Sequence, residues 1–113
     1  MSNNNQPNSK KVFILTRRDL SHGQRVVQAC HALALLMRKQ GHDPWLQEWA
    51  DEHKTLIILG VRDVSDLLRW EEKLRDAQLR YELFEEPDRR GEATAIAIHP
   101  AADPYLFRNL RLV

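Results

Sequence analysis

The chain has 113 residues, a formal net charge of +1 and a single cysteine. That length suits one domain with a modest core, and the near-zero charge excludes a protein that holds nucleic acid by bulk charge alone. One cysteine excludes an intrachain disulfide and fits a reducing compartment. With no apolar run of membrane-spanning length and no signal peptide before the first strand, the expected setting is soluble and cytoplasmic.

Residues 1–10 are polar, Asn-rich and without periodicity, and read as a disordered tail ahead of a domain spanning residues 11–113. Residues 12–16, Val-Phe-Ile-Leu-Thr, form a continuous apolar run that suits a strand covered on both faces. Arg17, Arg18 and Asp19 lead from it into a long helix over residues 21–37. Ser21 and Gln24 make a capping box at its start, and Gly41 marks its end after Arg38 and Lys39. Val26, Val27, Cys30, Leu33, Ala34 and Met37 fall at helical spacing, and Ala29, Ala32, Leu35 and Leu36 extend the apolar surface. This pattern predicts a helix buried on most sides, with Cys30 a small buried hydrophobe. Polar groups occur only in the first turns, at His22, Gln24, Arg25, Gln28 and His31. A helix N-terminus with free amides, beside Arg17, Arg18 and Arg25, is suited to an anion such as phosphate. Cys30 and His31 are adjacent on the helix, so their side chains diverge and cannot pair as nucleophile and base. His31 fits either a packing histidine or a site residue.

Asp43 and Pro44 open a shorter helix whose Trp45, Leu46 and Trp49 read as packing residues. Residues 55–59 are a second buried strand. Caps at residues 63–66 open a third helix, with Val64, Leu67, Leu68, Leu74 and Ala77 inward and Glu71, Glu72, Lys73 and Arg75 outward. Residues 80–85 alternate as a third strand, residues 86–91 turn, and residues 93–98 form a fourth. Asp103 and Pro104 cap a short terminal helix. The order implies an α/β fold: a three-layer α-β-α sandwich on a small mixed sheet of about four strands, the last two antiparallel. No phosphate-cradling glycine loop, dinucleotide fingerprint, zinc-ligand spacing or serine nucleophile elbow occurs.

A buried strand, then Arg18-Asp19-Leu20, then Arg25 ahead of Val27-Gln28-Ala29-Cys30-His31-Ala32, resembles the second, archaeal and eukaryotic, type of peptidyl-tRNA hydrolase. In that family the strand leads through R-x-D-L and a Gly-Lys pair into A-A-Q-C-x-H-A. Residues 93–100, Ala-Thr-Ala-Ile-Ala-Ile-His-Pro, are similar to its closing strand T-V-L-A-I-G-P. The resemblance covers about residues 12–113. It is nearest to the divergent branch called peptidyl-tRNA hydrolase domain-containing proteins, which has a similar helix motif and a Glu-x-Pro loop. Three positions depart from the family pattern. The family's Lys falls at Arg25, its His follows Cys by two where His31 follows Cys30 directly, and its D-A-G-x-T loop is shortened. The loop's Asp falls at Glu85, its Gly at Pro87, and its Thr has no counterpart.

The resemblance implies a hydrolase of the ester between a peptide or aminoacyl group and the tRNA 3′ end, needing neither metal nor cofactor. It implies that Glu85 is the base or water-positioner, with His31 also at the site. Arg25, Gln28 and the Ser21-capped helix start would hold a phosphate or the oxyanion, and Arg17 and Arg18 would contact tRNA phosphates. Two other readings remain at this level. One is a binding module for RNA or protein on the same fold, with catalysis lost. The other is a structural or self-associating domain with Trp45, Trp49 and Trp70 at an interface, and association as a homodimer is left open.

Overall fold

The computed structural model describes residues 10–113, so the expected tail lies, but for Lys10, outside the described residues. The elements run β1 (Lys11–Arg17), α1 (His22–Gln40), α2 (Pro44–Glu48), β2 (Thr55–Val61), α3 (Val64–Asp76), β3 (Tyr81–Glu86), β4 (Glu92–Ile98) and β5 (Arg111–Leu112). A π-helical turn, Trp49–His53, extends α2, and 3-10 turns occupy Pro87–Arg89 and Pro104–Phe107. One mixed sheet has the order β3-β4-β1-β2-β5. β1 and β2 are parallel, β4 runs antiparallel to both β1 and β3, and β5 is antiparallel to β2. The sheet therefore has five strands where the sequence suggested about four. The extra strand is two residues set opposite Leu59 and Gly60, too short to carry a period. These directions bring the ends of β1, β2 and β3, the start of β4 and the start of α1 to one edge.

Alternation along β1 sorts the core. Val12 and Ile14 join Ala29, Ala32 and Leu36 of α1, Leu46, Trp49, Ala95 and Ala97 on one face. Phe13 and Leu15 join Leu67 and Leu74 of α3, Ile96, Ile98 and Phe107 on the other. The expected inward side of α3 is corrected in part. Leu68 is exposed, as is Ala77, and Trp70 packs on Phe107 instead, with ring centroids 5.6 Å apart. The three tryptophans are packing residues. Trp49 is buried and its indole N–H donates to the Thr55 carbonyl at 2.7 Å, and neither Trp45 nor Trp70 is fully exposed.

The first helix departs from its expected burial. It turns only Gln28, Ala29, Ala32 and Leu36 fully inward. Val26 is 43% exposed, Val27 is 49% exposed, and Cys30 and Ala34 are exposed too. An apolar run that wraps a helix specifies no unique face. Here alanines of α1 share a cluster with alanines of β4, and the larger valines are left outside. Cys30 is thus a surface thiol, not a core residue. Ser21 caps α1 as expected, its hydroxyl accepting from the Gln24 amide at 3.3 Å. Gly41 ends the helix with a helical φ of −64°, and is needed because a Cβ there would run into the Met37 carbonyl.

At the far end of the sheet, Asp43 caps α2 by accepting from the Trp45 and Leu46 amides. It also takes Arg80 Nη1 at 2.9 Å and His99 Nε2 at 2.8 Å. His99 is 1% exposed, and its Nδ1 accepts from the Ala101 amide at 3.0 Å. That bond leaves Nδ1 bare, so the single proton sits on Nε2 and is donated to Asp43, with the Arg80 Nη2 cation 2.8 Å from the same nitrogen. Burial pushes the His99 pKa below its ordinary 6.5, outweighing the pull of Asp43. Burial raises the Asp43 carboxyl, but the bonds from His99, Arg80 and the Leu46 amide outweigh it and hold it at about 2. The unfolded chain therefore takes up a proton at His99 that the folded one excludes, so stability falls as pH drops below about 6.5. Asp43 adds a second loss between about 3.8 and about 2. Urea midpoints measured between pH 7 and pH 5 should decline in the native chain and decline less in His99→Gln. An identical slope in both would remove His99 from the pH response.

Candidate active site

The site is built on the alternation of β3. Glu82, Phe84 and Glu86 face α1: Gln40 Nε2 donates to Glu82 at 2.8 Å, Phe84 stacks on His31 with centroids 5.0 Å apart, and Gln28 Nε2 donates to Glu86 Oε1 at 2.7 Å. Glu85 takes the opposite parity and is exposed. The carboxylate that reaches α1 is therefore Glu86, and the expected meeting of Glu85 with Arg25 does not occur. The strand runs one residue beyond its expected end, which moves the inward carboxylate by one.

β4 supplies the third member through an irregularity. Phe84 pairs with Ala95 and Glu85 with Ala93, so Thr94 has no partner across the ladder. Regular alternation with Ile96 would send Thr94 to the α3 face. The extra residue re-aims it toward α1, which is what bulges beside sites do. The Thr94 hydroxyl donates to Gln28 Oε1 at 2.6 Å, and its carbonyl accepts from the Thr16 hydroxyl at 3.2 Å.

Gln28 is 6% exposed and thus used at both ends. Glu86 accepts from the Asp88 amide at 3.3 Å as well. The Gln28 bond first, and the Asp88 amide second, hold its carboxyl below the ordinary carboxylate range, so it is ionised at neutral pH. His31 Nε2 lies 4.0 Å from Glu86 Oε1, with its ring about half open to solvent. Gly23, Val27, Gln28, His31, Glu86 and Arg89 line a cleft of about 420 Å³ here.

The arginines divide by role. Arg17 is 4% exposed and donates two bonds to Asp19, at 3.0 and 2.7 Å, one to Glu92 at 2.5 Å and one to the Ala93 carbonyl at 3.0 Å. The bonds to Asp19 and Glu92 raise its pKa further and fix its charge, while Arg17 in turn lowers the Asp19 carboxyl. A guanidinium so enclosed is not placed to meet a phosphate, which corrects its expected contact with tRNA. Arg25 donates Nε to the Leu20 carbonyl at 2.9 Å and Nη2 to the Arg18 carbonyl at 2.6 Å, clasping the loop into α1. It does not line the cleft. Arg18 crosses Gly60, where a Cβ would strike its side chain, and donates to the Arg111 and Leu112 carbonyls. It remains partly exposed, and Ser21 is exposed at the rim. Of the residues marked in sequence, the structure brings Gln28 and His31 together. Glu86 and Thr94 are the members that reading missed. Alternation from Glu82 signals the first, and the bulge that aims the second has no sequence signature.

The family profile described as Peptidyl-tRNA hydrolase PTH2 matches residues 10–110. The chain belongs to this family. No curated protein matches it. Peptidyl-tRNA hydrolases cleave the ester that joins a peptide to tRNA, so this chain is an aminoacyl-tRNA ester hydrolase of translation, with peptidyl-tRNA as its substrate. Nothing in the fold or the family favours a module that has lost catalysis. Among the described residues no helix is long and apolar enough to cross a membrane.

In a peptidyl-tRNA hydrolase built this way, Arg17 is the strut beneath the site. Arg17→Ala should cost about 2–4 kcal/mol in urea unfolding, since it strands two carboxylates and a carbonyl, partly offset by their access to water. Arg17→Lys should recover only part of that, because an ammonium cannot meet Asp19 as a fork. A loss within about 0.5 kcal/mol for Arg17→Ala would contradict the strut role.

Proposed function

We propose that the ester of peptidyl-tRNA is cleaved in the cleft between α1 and the end of β3, by water oriented on Glu86 and deprotonated by His31. The observation that carries this reading is the ionised, amide-held carboxylate of Glu86, 4.0 Å from a half-open imidazole. A carboxylate with a lowered pKa is a weak base but a strong acceptor, so it aligns the water. The His31 imidazole carries a ring nitrogen that can accept, so it takes the proton. The water oxygen bonds to the ester carbonyl carbon, and its proton passes to His31. The bond from that carbon to the ribose oxygen then breaks, and the ribose oxygen receives the proton. The products are tRNA with a free hydroxyl and a peptide acid, which releases the second water proton to solvent and leaves as a carboxylate. The α1 N-terminus, at Gly23 on the cleft wall, supplies amide hydrogens and a positive dipole end for the oxyanion.

Arg25 serves this chemistry by position alone. Its clasp on Leu20 and Arg18 needs donors and not a neutral amine, so arginine in the place of the family's lysine is compatible with turnover. We assign tRNA phosphates to the guanidinium groups of the same edge, the partly exposed Arg18 together with the exposed Arg62, Arg89 and Arg111. We place the activity in the cytoplasm, where the exposed Cys30 stays a thiol.

Cleavage of N-acetyl-aminoacyl-tRNA tests the assignment. Glu86→Gln should lower kcat by on the order of a hundredfold or more with tRNA affinity held. Glu85→Gln should stay within about twofold, as an exposed side chain outside the cleft. Full activity in Glu86→Gln, or the main loss in Glu85→Gln, would contradict it.

A further inference from the structure

The face of α1 that turns away from the sheet is open to solvent. Between Gly23 and Met37, Val26, Val27, Cys30 and Ala34 are exposed and form an apolar strip, with the exposed Gln24 and His31 at its edge. In a chain with 29% charged residues, about three turns of bare apolar helix are unusual. The strip is continuous with the cleft. Gly23 and Val27 belong to the cleft wall that also holds Gln28 and His31, and Val26, Cys30 and Ala34 carry the same surface outward.

We infer that this strip is the seat of the peptide arm of the substrate, an inference that rests on the hydrolase reading above. Two arms diverge from the reacting ester. The nucleotide arm is a polyanion and belongs with arginines; Arg18, Arg62 and Arg111, which outnumber Asp19 and Asp66 there, line a separate hollow of about 400 Å³ on the same edge. An uncharged strip offers such an arm nothing. The peptide arm differs from substrate to substrate and has no fixed side-chain charge. A mid-helix surface has its backbone groups already bonded, so it presents only apolar contact. Such contact holds any apolar peptide without reading its sequence. The strip therefore favours esters carrying a peptide over those carrying a small acyl group, and Val26 and Ala34 set the length over which the peptide is felt.

The test uses the full chain and two esters of one tRNA, one bearing N-acetylglycine and one bearing an N-acetylated peptide of several leucines ending in glycine. The native chain should cleave the long ester with a kcat/KM about five- to tenfold higher, as expected for burying one or two small apolar side chains. Val26→Gln combined with Ala34→Gln should remove that advantage and leave the acetylglycyl ester unchanged, with an unaltered melting midpoint. No preference in the native chain, or an equal loss on both esters, would overturn the inference. So would a native dimer that becomes a monomer in the double variant with the preference intact, since the strip would then join two copies. Cleavage of neither ester by the native chain would overturn the hydrolase reading and this inference with it.

Discussion

A primary amide has one accepting end and one donating end, and a buried one must satisfy both. Gln28 does so against two neighbouring strands, β3 and β4, that lie nearly sixty residues or more along the chain from it. Its oxygen takes the Thr94 hydroxyl and its nitrogen gives to Glu86. The ionised carboxylate can only accept, so the orientation of the amide is not free. Glu86 must meet the nitrogen, and Thr94 is left the oxygen. The amide thus fixes the direction of a carboxylate beside an open cleft, and keeps it charged. A hydrophobic residue at this point of α1 would pack as well, yet it would leave Glu86 and Thr94 to find other partners.

That arrangement stands on a platform held by Arg17. Its fork on Asp19 pins the loop into α1, and its bonds to Glu92 and Ala93 pin the start of β4. Arg25 closes the same loop from the helix side. The entry to α1 and the start of β4 are therefore tied at the edge where they meet, and β3 is held to β4 by its ladder. The R-x-D-L motif acquires a physical meaning here, as an i, i+2 ion pair that sets the angle at which chain leaves strand and enters helix.

The helices and the first four strands were legible because each carries its own period, and the capped start of α1 was legible from Ser21. Which side of α1 is buried was not, since apolar residues surround the helix and the face that packs is chosen by Val12, Ile14, Leu46 and Trp49 together with Ala95 and Ala97, far away in sequence. Gln28 and His31, read in the sequence as polar groups on an apolar helix, line one cleft. Glu86 was missed by one place, because the strand extends past the point where its apolar alternation stops. Thr94 was beyond reach, since a bulge reverses its facing without changing any residue type. Arginine was the hardest to judge. Arg17, Arg18 and Arg25 read alike as a basic mouth, but whether a guanidinium faces a phosphate or braces a loop depends on carboxylates and carbonyls that the fold brings from residues 92 and 93.

The central claim is that Thr94 and Gln28 act as one unit that aims Glu86 at the ester. Single-turnover cleavage of N-acetyl-aminoacyl-tRNA by Thr94→Val, Gln28→Met and the double variant tests it most directly. The account predicts that each single change slows cleavage and that the double variant is no slower than Gln28→Met alone. Losses that multiply, or a Thr94→Val variant cleaving at the native rate, would contradict it.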